Sequence, residues 1–403
     1  MPSTDSGDLS GDDADYGLLS PVWAGTPVTA VTSDRAVLAA MVRFEATLAK
    51  VAAPHGIDKQ IMAAGVGIDP AAIARAARAG GNPVIPLLAA LRENLDKDAS
   101  EWLHRGATSQ DALDTALALI AKDAARIIVA DATAAVESFA EHAEKHRATV
   151  MVGRTITQPA TPITAGLKIA GWARGVAAAT AAVREAADAF PVQLGGAAGT
   201  LAAMTASGAD SIDIAARLAD ELGLAEPTAP WHVWRSPITR LGDALVELTD
   251  AFGTVGENTT GLARIDEMDD GASGGSSTMP HKSNPIRAVL LNAATRQATH
   301  LLSSLHTASI TIDERPDGAW HAEWEPFRSL LRVAGGSAFI GRELAAGLRV
   351  NTEVIARHVA ESASDLTAER VRFVKGDVDP SEYLGVTDEF ITRLLTEARK
   401  DLA

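Results

Sequence analysis

An all-α protein of three domains, built around a bundle of about five long helices, is the fold class that the sequence predicts. Three observations lead there. Apolar residues recur at helical spacing through most of the 403 residues. Alanine, the strongest helix former, is abundant where that pattern is clearest. Few segments alternate as half-buried strands do. A chain of this length with 47% hydrophobic residues also exceeds what one compact core usually holds, so two or three cores are expected.

In chain order, residues 1–16 form an acidic tail that carries Asp5, Asp8, Asp12, Asp13 and Asp15 without a lysine or arginine, which predicts disorder. Residues 17–108 form a helical N-terminal domain. Its first helix starts at the Ser33-Asp34 cap, runs through Leu38, Met41, Phe44, Leu48 and Val51, and stops at Pro54-His55-Gly56. Shorter helices follow to about residue 97. The central domain, 109–348, contains long helices near 109–146, 162–189, 236–267, 285–309 and 320–348. In the third of these Leu241, Leu245, Leu248, Phe252 and Val255 recur at alternating steps of four and three, the seam of a helix packed along near-parallel neighbours. A 30-residue helix is about 45 Å long and needs partners along its whole length. The small-residue surface of such rods predicts self-association. Residues 349–403 read as a small domain of short helices broken by Gly376, Pro380 and Gly385.

Composition excludes several classes. A formal charge of −16 supplies no basic footprint for nucleic acid. No apolar run reaches membrane-spanning length, and the start has neither the basic region nor the apolar core of a secretory signal. The absence of cysteine rules out disulfides and thiolate chemistry. A soluble cytoplasmic protein is expected, with no nucleic-acid or membrane partner and no metal or other cofactor. His142 and His146 have a metal-compatible spacing, but Glu141, Glu144, Lys145 and Arg147 around them predict a solvated helix end instead.

Three polar segments stand out. Gly271 to Pro285 reads GASGGSSTMPHKSNP and forms a lid over residues 271–285: its glycines free the backbone, Lys282 and the Asn284 amide suit a carboxylate, and Pro285 suits the first position of a following helix. Trp102 to Asp111 opens the first long helix, where the hydroxyls of Thr108 and Ser109 can cap the helix, bind a carboxylate, or do both. Gly153 to Pro159 is a polar turn before another long helix, in which Arg154 can grip a carboxylate with two parallel hydrogen bonds.

Together these segments resemble the fumarase/aspartase superfamily, whose signature matches Gly275-Ser276-Ser277-Thr278-Met279-Pro280-His281-Lys282-Ser283-Asn284-Pro285. The resemblance implies a tetramer of long-helix bundles whose active sites are shared between subunits. It assigns Ser276 as general acid/base after closure of the lid, with Ser277 the less favoured neighbour, and Lys282 and Asn284 to the substrate carboxylate beside the reacting carbon. It also implies that His104, Thr108, Ser109, Arg154, Thr155 and Gln158 bind carboxylates of a small polycarboxylate substrate, with His232 and Arg235 as further members. Superfamily lyases that release an amine usually have a histidine after the Gly-Arg-Thr of the second segment, and here that position is Ile156. An isoleucine cannot protonate a leaving group. The bacterial 3-carboxy-cis,cis-muconate cycloisomerases also have an apolar residue there, and Pro230-Trp231-His232, Gly318 to Trp324 and Glu382 to Gly385 resemble their sequences. The resemblance therefore implies lactone formation from a tricarboxylate. Alternatives are a fumarate-releasing lyase of the adenylosuccinate or argininosuccinate type, and a catalytically inactive structural relative. His321 and Glu323, beside Trp320 and Trp324, fit either a site or a packed seam. Arg315, next to Glu314, reads more simply as half of a surface ion pair, and His281 as a residue that shapes the lid.

Overall fold

Five helices carry the molecule: Ser109–Lys145, Ala165–Asp188, Ser236–Ala263, Ile286–Ala308 and Ala319–Gly347. The structure, a computed structural model, describes residues 16–403 apart from 54–55, 273–278, 280–282, 375 and 377. The acidic tail up to Asp15, together with Ser276, Lys282 and His281, lies outside the described residues. Each of the five rods falls within a few residues of its sequence-predicted range. The seam residues Leu241, Leu245, Leu248, Phe252 and Val255 are all fully buried, as the periodicity requires.

Close packing rests on small residues at the crossings. A Cβ on Gly341 would lie 2.2 Å from the Phe252 ring, and one on Gly253 would lie 2.1 Å from Thr295 Oγ1, so both helix pairs approach only because glycine stands there. The N-terminal helix Asp34–Ala52, capped by Ser33 as expected, buries Leu38, Met41, Phe44, Leu48 and Val51. It packs along the first half of the bundle, against Ser109–Lys145.

Three features differ from the sequence reading. The segment around Arg154 is a β-hairpin, Val150–Thr155 paired antiparallel with Gln158–Thr164, so the following helix starts at Ala165 instead of 162. Pro159 and Pro162 explain why: neither can donate a backbone hydrogen bond, and each pushes its predecessor towards extended backbone. Pro285 is the residue before the helix Ile286–Ala308 and not its first member. Third, the last helix, Thr387–Leu402, lies along Ala165–Asp188, held by Arg174 Nη1 to Asp401 at 2.5 Å and by Arg184 Nη2 to the Leu402 carbonyl at 3.1 Å. A two-residue strand, Met268–Asp269, pairs with Arg349–Val350 and joins the end of the third rod to the start of the C-terminal stretch. Among the described residues no helix is long and apolar enough to cross a membrane.

Candidate active site

The first polar segment is organised by a buried carboxylate. Thr108 is extended (φ −126°, ψ 161°) and precedes the helix Ser109–Lys145. Asp111 Oδ2 accepts from the Thr108 N–H at 2.9 Å. The same carboxylate, fully buried, accepts the Gly195 and Gly196 N–H groups at 2.9 Å each and His232 Nε2 at 2.7 Å. Because an ionised carboxylate only accepts, Nε2 carries the proton, and the buried Nδ1 of His232 has no partner among the described residues. Asp111 thus fixes the helix start, the 195–196 loop and His232 in one frame.

Two arginines lie around that frame. Arg315 Nη2 donates to Thr108 Oγ1 at 2.6 Å and to the Ala197 carbonyl at 3.2 Å, so it faces the first segment instead of pairing at the surface. Arg235 is 2% exposed, and its guanidinium is spent on Asp114 and Glu323 and on the Trp231 and His232 carbonyls. Trp320 Nε1 donates to Asp114 at 2.8 Å in the same cluster. Burial, reinforced by Asp114, pushes the Glu323 carboxyl up to about 7 against the pull of Arg235. The sequence left Glu323 open between site and seam; its place is a buried ion cluster behind the site.

His104 has a left-handed backbone (φ 60°), rare outside glycine, and its Nδ1 lies 2.7 Å from Glu45 Oε1. Burial acts to lower its pKa, but the Glu45 carboxylate together with Asp111 makes the net direction upward. Ser109 is half-buried beside Thr108.

In the second segment Ile156 and Thr157 turn the hairpin, both with positive φ (47° and 70°), between the paired Thr155 and Gln158. Primed two-residue turns favour Asn-Gly, and a β-branched residue there is strained. Ile156 is 95% exposed at the tip, with Thr155 and Gln158 exposed beside it. Arg154 turns back from the tip: Nη1 and Nη2 grip the fully buried Glu267 at 3.0 and 2.8 Å. His358 Nδ1 meets the same carboxylate at 2.8 Å. Lys168 lies nearby, its pKa lowered by burial and then by Arg154, with Glu267 opposing.

The third segment is anchored by Asp270, which is 1% exposed. Its Oδ1 accepts from the Ala272 N–H at 2.9 Å and its Oδ2 from the Ala288 N–H at 3.2 Å, so one side chain binds both flanks of residues 273–282. Asn284 is half-buried.

Within one chain the second and third segments share an end of the bundle, joined by Arg154 and Glu267. Among the described residues the first does not meet them. Thr108 and the hairpin flank opposite ends of a 37-residue helix, about 55 Å of axis. Elsewhere, His146 is buried against Thr149 (Nδ1 to Oγ1, 3.2 Å), not part of a solvated helix end, because the hairpin folds back over it. No cluster of potential metal ligands occurs among the described residues. Sequence reasoning missed Asp111, Glu45, Glu267 and Asp270 as organisers. Glu45 was detectable, since it sits four residues after Met41 on the apolar face of its helix.

Comparison with known proteins places this architecture. A family described as Lyase matches residues 81–299. The nitrosuccinate lyase of Streptomyces davaonensis is 42% identical over 380 residues, covering 89% of this chain and 80% of that protein. The 3-carboxy-cis,cis-muconate cycloisomerase of Bradyrhizobium diazoefficiens is 37% identical over 375 residues, with 88% and 82% covered. The crystal structure of the 3-carboxy-cis,cis-muconate lactonizing enzyme from Pseudomonas putida superposes with a TM-score of 0.85 at 30% identity, covering 96% of this chain and all of that one.

Proposed function

This chain belongs to the fumarase/aspartase superfamily of enzymes, and we propose that it is a 3-carboxy-cis,cis-muconate cycloisomerase, closing the tricarboxylate to 4-carboxymuconolactone in the protocatechuate branch of aromatic degradation. In the forward step a carboxylate oxygen of the substrate adds to one carbon of a double bond. A proton arrives at the neighbouring carbon, beside another carboxylate, and no atom leaves. Run backwards, this is a β-elimination through an enolate-like dianion, which fixed donors and positive charge must stabilise in a site closed to water.

The observation that carries the reading is the hairpin tip. Ile156, 95% exposed and aimed away from its own chain, has no proton to give. A leaving group that departs as a stable anion needs none, and a lactone carboxylate is such a group. An amine is not, which disfavours the adenylosuccinate and argininosuccinate type of lyase. The same argument admits a second reading, favoured by the 42% identity to a nitrosuccinate lyase: elimination of nitrite, also a stable anion, from nitrosuccinate to leave fumarate.

In either reaction Ser276 exchanges the proton at the carbon next to the carboxylate, and Lys282 and Asn284 hold that carboxylate. His104, Thr108, Ser109, Thr155, Gln158 and Arg315 supply donors for the others. Arg154, His232 and Arg235 direct their donors to Glu267, Asp111 and the Asp114–Glu323 pair, and act from behind. The helix of about 55 Å that separates the first segment from the hairpin in one chain supports a homotetramer in which different subunits complete each site. The test is to offer purified protein each substrate and follow loss of the conjugated-diene absorbance and appearance of fumarate. Diene loss without fumarate supports the cycloisomerase; fumarate with nitrite from nitrosuccinate supports the second reading. Inactivity towards both would favour a structural relative.

A further inference from the structure

We propose that Glu45 is a positioning residue that holds His104 as an imidazolium, giving the first segment a fixed cation whose Nε2–H is offered to a substrate carboxylate. The inference rests on the reading of this end of the bundle as a polycarboxylate site. Its basis is a geometry that nothing else in the mechanism uses.

Glu45 lies on Asp34–Ala52, a helix whose inward face is otherwise apolar, and it is fully buried. One carboxylate oxygen meets His104 Nδ1 at 2.7 Å; the other, Oε2, is buried with no partner among the described residues. A buried carboxylate with a single neighbour is tolerable only if that neighbour neutralises it. A neutral imidazole would give Glu45 a hydrogen bond and leave its charge uncompensated, whereas an imidazolium gives both. Two other elements, and burial itself, bear on that charge. Asp111, on Ser109–Lys145, favours the cation; Arg92, at the end of the helix Val84–Arg92, opposes it; burial opposes it as well, and the carboxylates prevail.

The second nitrogen is left open. Nε2 has no protein partner among the described residues and is not among the buried unsatisfied atoms, so it keeps access to solvent. The left-handed backbone of His104 (φ 60°) is strained for a residue other than glycine. A histidine that merely filled space would have no reason to sit there. In a site whose hairpin tip is isoleucine, this pair supplies a positive charge beside the helix start.

The experiment compares the intact protein with Glu45→Gln and His104→Lys, each checked for native circular dichroism. The His104 ring is titrated by NMR, and binding of tricarballylate, an inert tricarboxylate, is measured by calorimetry from pH 6 to 8. In the parent the ring should titrate above the usual histidine range and binding should hold to pH 8. In Glu45→Gln the ring pKa should fall by about one unit or more, and binding should weaken about tenfold between pH 6 and 8. His104→Lys, whose charge needs no Glu45, should bind at both pH values even if Glu45→Gln does not fold. An unchanged ring pKa in Glu45→Gln, tricarballylate binding in the parent that is absent or falls with pH, or loss of binding in His104→Lys would overturn the proposal. Failure to turn over either candidate substrate, with the titration difference intact, would remove the assigned reaction and leave the pair standing.

Discussion

Arg154 and Glu267 are joined by two parallel hydrogen bonds, 3.0 and 2.8 Å, that tie the strained hairpin tip to the strand leading into the signature loop. Glu267 lies one residue before Met268–Asp269 and three before Asp270, so the contact fixes the exposed Thr155 and Gln158 relative to the root of the segment that carries Ser276. The guanidinium expected to meet the substrate already holds a carboxylate of its own chain.

That pairing predicts coupling. Arg154→Ala and Glu267→Gln should each lower kcat/KM, and the double variant should be little worse than either single one. A double-mutant cycle on kcat/KM checks it, with an interaction of about 2 kcal/mol expected for a charge-assisted bidentate pair. Additive losses would mean that Arg154 acts on the substrate independently of Glu267.

Arg315 should contribute binding. Replacing it with alanine removes a donor that reaches Thr108 Oγ1 at 2.6 Å, and KM should rise about tenfold or more with kcat changed less. Steady-state kinetics on the diene substrate decide this.

Sharing of sites between subunits predicts complementation. Ser276→Ala and Thr108→Val homotetramers should each be nearly inactive. Mixed by unfolding and refolding together, they should regain about a quarter of parent activity if loop and helix start come from different subunits, as random assembly pairs two intact segments about one time in four. Mixtures that stay inactive would place both segments of a site in one chain.

Stability should fall with rising pH through the Glu323 carboxyl. Its native pKa is pushed from 4.5 to about 7 by burial, so between those values the folded state binds more protons than the unfolded state and stability declines as pH rises. The raised His104 works in the same direction at higher pH: its contribution is fully present below 6.5 and is lost as pH climbs through the native value. Denaturant unfolding across pH 4.5 to 7 should show the slope, and Glu323→Gln should flatten it.

Much of this was legible in the sequence because it is local. The five rods follow from helical periodicity, and the seam from Leu241 to Val255 needs no knowledge of its neighbours. The hairpin was misread as a turn because its strands are short and its turn residues, Ile156 and Thr157, are not those that hairpins prefer. What stayed hidden was partnership across sequence. Arg315 lies 207 residues from Thr108, and Arg154 lies 113 from Glu267. No pattern within either segment announces the other, and acids such as Glu267 and Asp270 look like surface charge until the fold buries them.

Turnover of 3-carboxy-cis,cis-muconate in D2O, followed by proton NMR, probes the central claim most directly. The account predicts a lactone carrying one deuterium on the carbon next to a carboxylate, no fumarate, and loss of the reaction by about a hundredfold or more in Ser276→Ala. An untouched diene, or a Ser276→Ala variant that forms the deuterated lactone at the parent rate, would contradict it.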